Sequence, residues 1–183
     1  KTLVLERGRM IEHIKDYPTM NMDPWDFEHR EEIHPDDAKK QHKQSRTGYT
    51  TKPASKHWFV NDLEHPYSET KRFDWMRGYH VGGRSLMWAR HSYRWSPMDF
   101  EANKKDGHGV DWPIRYNDIE SWYDKVEEFI GVCGLNEGFS QLPDGKLSEP
   151  MGFNCVEEDF AKRTNEKFDN IKVTHARIAH ITG

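Results

Sequence analysis

The strongest periodicity in the chain lies just after Asn117, where Ile119, Trp122, Tyr123, Val126, Phe129 and Ile130 recur at steps of three and four. That spacing puts the six side chains on one stripe and predicts a helix over 118–133 with the stripe turned to a core. Asn117 and Glu120 read as its capping box, and Gly131 and Gly134 as its stop. A second helix is predicted after Asn154, with Glu157 at the third position, burying Val156, Phe160 and Phe168. Ser96-Pro97-Met98-Asp99 reads as another helix start, proline occupying the first position.

Short apolar runs and alternation mark both ends. KTLVLERG reads as a buried strand over Thr2 to Glu6, closed by Arg7-Gly8. Ile171 to Thr174 and Ala176 to Ile181 alternate like strands. LNEGFSQLPDGKLSEPMG, between the two helices, reads as loop or hairpin with Pro143-Asp144-Gly145 as the turn. With strand at either end and no neighbour for either, the pattern fits the middle of a larger α/β domain.

From Arg9 to Arg77 no period holds. Aromatic anchors recur instead, at Tyr17-Pro18, Trp25-Asp26-Phe27, Trp58-Phe59-Val60 and Phe73-Asp74-Trp75. An irregular stretch of that length is either an excursion packed over a ligand site or a peripheral insertion.

Composition sharpens this picture. Hydrophobic residues are 34%, charged residues 32%, and mean hydropathy is -1.02 over 183 residues, yet aromatics reach 13%. Many aromatics on a polar background point to a chain whose partner surfaces lie elsewhere, or to one with long ordered insertions, and not to disorder. A net charge of -4 gives no footprint for nucleic acid, and no apolar run approaches a membrane span, so direct membrane insertion is not expected. The apolar part of the first residues, Leu3 to Leu5, is too short for a signal peptide and leaves the compartment open. Cys133 and Cys155 are expected as free, partly buried thiols, and the 11 histidines show no metal-ligand spacing. Arg77, Arg90 and Arg94 are expected to pair with carboxylates.

The stretch GYHVGGRSLMW (78–88) fits neither core nor plain loop. Paired glycines, one cation, one hydroxyl and then a soft apolar and aromatic wall suit a large ligand that is partly anionic and partly aromatic. Glu6, at the end of the predicted strand, is suited to accept hydrogen bonds from the ribose hydroxyls of a dinucleotide.

LVLERG, followed about 70 residues later by GG-x-S-x-x-W, then DFEAN, then W-P-I-x-Y-x-D-I-x-x-W-Y, resembles the glucose-methanol-choline (GMC) family of flavoprotein oxidoreductases. The likeness is narrowest to bacterial sugar-dehydrogenase flavoprotein subunits of the glucoside 3-dehydrogenase and gluconate dehydrogenase kind. It implies an α/β fold of α+β character: part of a Rossmann-like FAD-binding domain with a long insertion, lacking the first βα unit and the C-terminal half. Residues 1–8 would be the second strand, 9–76 an insertion or lid, and 77–112 the FAD-contacting segment. Residues 113–170 would be a helical segment and 171–183 strands returning to the FAD domain.

By the same resemblance, Glu6 and Arg7 would sit at the adenosine ribose, and Gly82, Gly83, Arg84 and Ser85 along the pyrophosphate and ribityl path. Leu86, Met87 and Trp88 would lie beside the isoalloxazine, and Ile178 at the adenine. Related pyranose oxidase-type sequences carry a flavin-linking histidine at the position of Met87, so the implied FAD is non-covalent. The implied reaction moves hydride from a carbinol carbon of a sugar or sugar acid to flavin N5. Electrons would pass to a cytochrome or quinone, with a small partner subunit. The glycine-rich turn and the catalytic histidine pair are expected outside these residues, so none here is assigned to catalysis. Two rivals are a non-catalytic, aromatic-rich binding domain and a nicotinamide-linked enzyme using Glu6; the segment GGRSLMW speaks against the second.

Overall fold

Proline and charge interrupt residues 9–76 so often that no long helix can form there, and the structure bears this out. The computed structural model describes residues 2–47 and 50–181. Contacts divide the chain into two compact units, Lys1–Trp88 and Ala89–Gly183.

Among its described residues the first unit holds one short α-helix, α1 (Pro35–Lys40), and five 3-10 turns, among them Lys56–Trp58 and Gly83–Met87. Its centre is polar. Gln44 is fully buried and its side-chain amide donates to Asp62 Oδ1 (2.8 Å), while its oxygen accepts from the Arg77 backbone N–H (3.1 Å). Arg77 Nη2 reaches Asp62 Oδ1 (3.3 Å) and the His65 carbonyl (2.6 Å). Gln41 donates to the carbonyls of Lys56 and Phe59 (2.8 and 3.0 Å). This network ties loops 41–47, 56–62 and 75–77 together where an apolar core is lacking, since a buried polar group must be paired. Phe59 and Val60 supply the apolar part.

Thr2 to Glu6 do not form the predicted strand. No described segment pairs with them, so Leu3, Val4 and Leu5 stay 81–85% exposed. The first ladder contact comes later, a parallel bridge from Arg9 to His80.

In the second unit α2 (Pro97–Asp106) starts with Pro97 at its first position as the sequence predicts, and the Ser96 N–H donates to Asp99 Oδ2 (2.7 Å) at its cap. The next helix, α3 (Tyr116–Ile130), starts earlier than expected. Asn117 lies inside it, and the N–H of the capping residue Arg115 donates to Asp118 Oδ2 (2.7 Å). Gly131, at φ +66°, is the first of the two predicted stops and ends the helix at Ile130, so Val132 and Cys133 fall in a strand and not in the predicted last turn.

The exposed side of α3 is also a correction. Trp122, Val126 and Phe129 face outward, Phe129 at 89% exposure, and the buried residues are Tyr116 and Glu127. Glu127 is pinned by Arg94 (Nε to Oε1, 2.9 Å) and by the Lys146 N–H (2.9 Å), so a buried ion pair turns the helix against its apolar stripe.

β1 (Val132–Cys133) follows, then α4 (Cys155–Lys167) and β2 (Ile178–Ala179). Asn154 caps α4 as predicted, accepting from the Val156 and Glu157 N–H groups. Val156, Phe160 and Phe168 are exposed, however, and only Ala161 and Thr164 are buried along it. β1 and β2 pair antiparallel, Val132 with Ala179 and Cys133 with Ile178, and Ile178 also bridges His91. Ile171 to Thr174 form no strand, and the expected strand over 176–181 reduces to two residues. The tight turn encloses Ser140-Gln141, where the Leu142 N–H reaches the Phe139 carbonyl (3.0 Å); Pro143-Asp144-Gly145 is instead held by Asn136 on Gly145. Helices with a small two-stranded sheet are compatible with the α/β class. Both cysteines are free, Cys133 buried and Cys155 exposed.

Candidate functional site

In the first unit, the strand-end residues and GYHVGGRSLMW come together. A side chain at Gly8 would overlap the backbone of Tyr79 and His80, so glycine alone lets these two segments touch. The Val81 N–H donates to the Arg9 carbonyl (2.9 Å), and the Arg7 guanidinium lies 4.1 Å over the Tyr79 ring. Glu6 Oε1 accepts from the N–H groups of Arg7 and Gly8, both at 2.9 Å, holding the carboxylate at the exposed end of the segment.

The turn then enters the left-handed region at Gly82 (φ +92°) and Gly83 (φ +55°). A Cβ on Gly83 would meet nothing within 4 Å, and one on Gly82 only Ser85 Oγ at 3.6 Å. Packing therefore does not demand these glycines; backbone conformation does, and it leaves main chain bare at the surface.

The 3-10 turn Gly83–Met87 positions the remaining expected residues. Arg84 folds back, donating to the Met76 carbonyl (2.8 Å) with its guanidinium 5.5 Å over Phe59, and Ser85 Oγ donates to the Gly82 carbonyl. Leu86 and Trp88 are exposed, whereas Met87 is half-buried and turned inward. A Cβ on Gly78 would stand 2.8 Å from Met87 Cε.

Beside Leu86 lies a cavity of about 310 Å³ lined by Tyr17, Thr19, Met20, Trp58 and Leu86. The Trp58 indole takes edge contacts from Tyr17 (5.9 Å) and His80 (5.7 Å). His80 is 3% exposed and its Nε2 has no partner. Sequence reading does not assign Tyr17 to a site; Trp58, one of the recurring aromatic anchors, it offers together with Trp75 as a surface for stacking on sugar.

Ile178 belongs to the second unit, at the centre of the short sheet. A cavity of about 260 Å³ adjoins it, with Cys133, Met151, Phe153 and His175 in its wall. Phe153 and His175 stack at 3.8 Å and 8°. Neighbouring Arg177 is buried without a carboxylate, donating to the carbonyls of Pro143 (2.6 Å), Leu135 (3.2 Å) and Leu142 (3.4 Å); burial lowers its guanidinium pKa.

Arg94 is the opposite case. Burial opposes its charge, yet Glu127, Asp124 and the Tyr116 hydroxyl hold its pKa above the ordinary value, and burial raises the Tyr116 phenol. Arg77 and Arg94 thus pair with carboxylates as expected. Among the described residues no cluster of three or more His, Cys, Asp or Glu could hold a metal, and no helix is long and apolar enough to cross a membrane.

No family model matches the chain. It is 30% identical over 103 residues, 53% of its length, to the fructose dehydrogenase large subunit of Gluconobacter japonicus, of which this is 19%. It is 33% identical over 66 residues (35% of the chain, 12% of the relative) to 2-methyl-1,2-propanediol dehydrogenase of Mycolicibacterium austroafricanum. Paromamine 6'-oxidase of Streptomyces fradiae is 34% identical over 61 residues, 32% of the chain and 11% of that protein. The chain thus spans a fifth or less of these curated relatives, which are dehydrogenases and oxidases by name.

Proposed function

We propose that this chain is part of an FAD-dependent oxidoreductase of the GMC type, acting on the CH–OH group of a sugar or sugar acid. The observation that carries the reading is the Gly82-Gly83 turn, with left-handed backbone and open space where a side chain would stand. A ligand that must lie against main chain fits such a turn, and packing gives no other reason for it. The ordered motifs around it and the names of the three relatives support the same reading.

In this reading the residues form part of a Rossmann-like FAD-binding domain, with 9–76 as an insertion over it and the segments on either side as expected from the motifs. The residues present fit the cofactor. Glu6 keeps its carboxylate exposed with one oxygen bonded to its own backbone, and would accept from ribose hydroxyls with Arg7 beside it. Gly82 and Gly83 would admit the pyrophosphate to the backbone. Arg84 and Ser85 would exchange their present carbonyl bonds for phosphate and ribityl oxygens. Leu86 and Trp88 would cover the isoalloxazine with apolar surface; Met87, a thioether, forms no flavin bond, so the cofactor is held non-covalently. Ile178 would meet the adenine. Bound FAD supplies the hydride acceptor. Electrons would leave to a cytochrome or quinone, through a partner subunit, as the name of the fructose dehydrogenase large subunit suggests.

The test is direct. The protein purified from its complete reading frame is expected to release FAD on acid denaturation, and its flavin absorbance to bleach when a sugar is added without oxygen. A colourless protein, or a flavin that no sugar, sugar acid or diol reduces, overturns the proposal.

A further inference from the structure

The cavity between the aromatic excursion and Leu86 has features of its own. Its lining joins residues about 70 positions apart in sequence, Tyr17, Thr19 and Met20 on one side and Leu86 on the other, with Trp58 between them. The indole is braced by three rings, His57 (4.5 Å, 49°), His80 (5.7 Å, 64°) and Tyr17 (5.9 Å, 82°), and forms part of the cavity wall. Thr19 Oγ1 spends its proton on the Ala54 carbonyl (2.7 Å), so the lone pairs of that hydroxyl stay free to accept. Tyr17 Oη and His13 Nδ1, 3.0 Å apart, add a second polar group at the rim.

We infer that this cavity is a sugar-ring subsite, in which Trp58 is the platform for the apolar C–H face of one monosaccharide and Thr19 accepts from a ring hydroxyl. The inference rests on the oxidoreductase reading, which makes Leu86 the boundary between cofactor and substrate. Its volume of about 310 Å³ is at the low end of small-molecule pockets, roughly 300–1,000 Å³, and suits one ring better than an oligosaccharide. A rigid aromatic wall with few, separated acceptors recognises a ligand that is apolar on its face and hydroxylated at its edge. Trp75, the exposed tryptophan of the anchor Phe73-Asp74-Trp75, is not part of this lining: its ring meets Tyr67 (5.8 Å) and the Arg77 guanidinium (5.6 Å).

The experiment compares the full-length protein with its Trp58→Ala, Trp58→Phe and Trp75→Ala variants. Four quantities are read: flavin content, sugar binding by saturation-transfer NMR, and KM for a hexose and for 2-methyl-1,2-propanediol. D-fructose and D-glucose are the sugar probes; the acyclic diol has no ring face to stack. Trp58→Ala is expected to weaken hexose binding and raise hexose KM about ten-fold, the equivalent of one aromatic stack. Trp58→Phe should recover most of that loss, and Trp75→Ala should leave it absent. Flavin content and the diol KM should not move.

Unchanged hexose affinity in Trp58→Ala overturns the inference, as does failure of every hexose probe to bind the unsubstituted protein. Loss of flavin from a folded Trp58→Ala protein also overturns it, because the cavity would then belong to the cofactor. The broader reading is judged separately, by the presence and reduction of flavin in the unsubstituted protein.

Discussion

Two glycines in the same site carry different burdens. At Gly8 any side chain collides with the backbone of Tyr79 and His80, neither of which can swing away, so Gly8→Ala must separate the two segments. Overpacking of this kind costs about 1–3 kcal/mol or more, and urea denaturation should show the loss directly. Gly83→Ala meets no atoms and bears only the left-handed penalty, about 1–2 kcal/mol. If the turn holds FAD, the full-length Gly83→Ala protein should fold yet lose flavin; retention of full flavin with normal affinity would remove the turn from the cofactor site. The left-handed turn at the glycine pair was legible in sequence, because glycine enters φ > 0 without a side-chain penalty. The inward turn of Met87 and the partnering of Arg84 with the Met76 carbonyl were not, since both depend on Gly78 and Phe59 packing against the turn from elsewhere.

Among the elements, the caps were the readable part, because a cap is a contact between residues two or three apart. Asn154 accepts from two N–H groups at the start of α4, and Glu157 returns the bond to the Asn154 N–H (2.8 Å). Asn154→Ala should cost about 1 kcal/mol, measured as a lowered denaturation midpoint with unchanged slope. The facing of α3 was not readable. Its stripe predicts burial of Trp122, Val126 and Phe129, but Arg94, 33 positions before Glu127, draws the other face inward. Glu127→Ala would leave a buried guanidinium with only Asp124 and Tyr116 for company, and should cost about 3–5 kcal/mol. Removing Asp111 from its exposed pair with Arg115 should cost under about 1 kcal/mol. Equal losses at the two pairs would mean that the buried one does not set the helix.

For the molecule as a whole, the telling feature is how much apolar surface faces outward. Leu3, Val4 and Leu5 lie exposed in the first unit; in the second, Trp122, Val126 and Phe129 on α3 and Val156 and Phe160 on α4 do the same. Each set has the pattern of a buried strand or an amphipathic helix, yet the structure leaves it open to solvent. Single exposed apolar residues are ordinary, but contiguous groups mark interfaces. The fructose dehydrogenase large subunit is matched over only 19% of its length, which leaves ample chain in a protein of that kind to supply the cover. On this argument the 183-residue chain alone should self-associate, and Phe129→Asp, which places a charge at an aromatic 89% exposed, should reduce that association in sedimentation velocity without changing helix content. In the full-length protein the same substitution should do the reverse, burying an unpaired carboxylate and lowering stability by a few kcal/mol, on the order of 1–3. A substitution that is harmless in both would make the α3 stripe a solvent face after all.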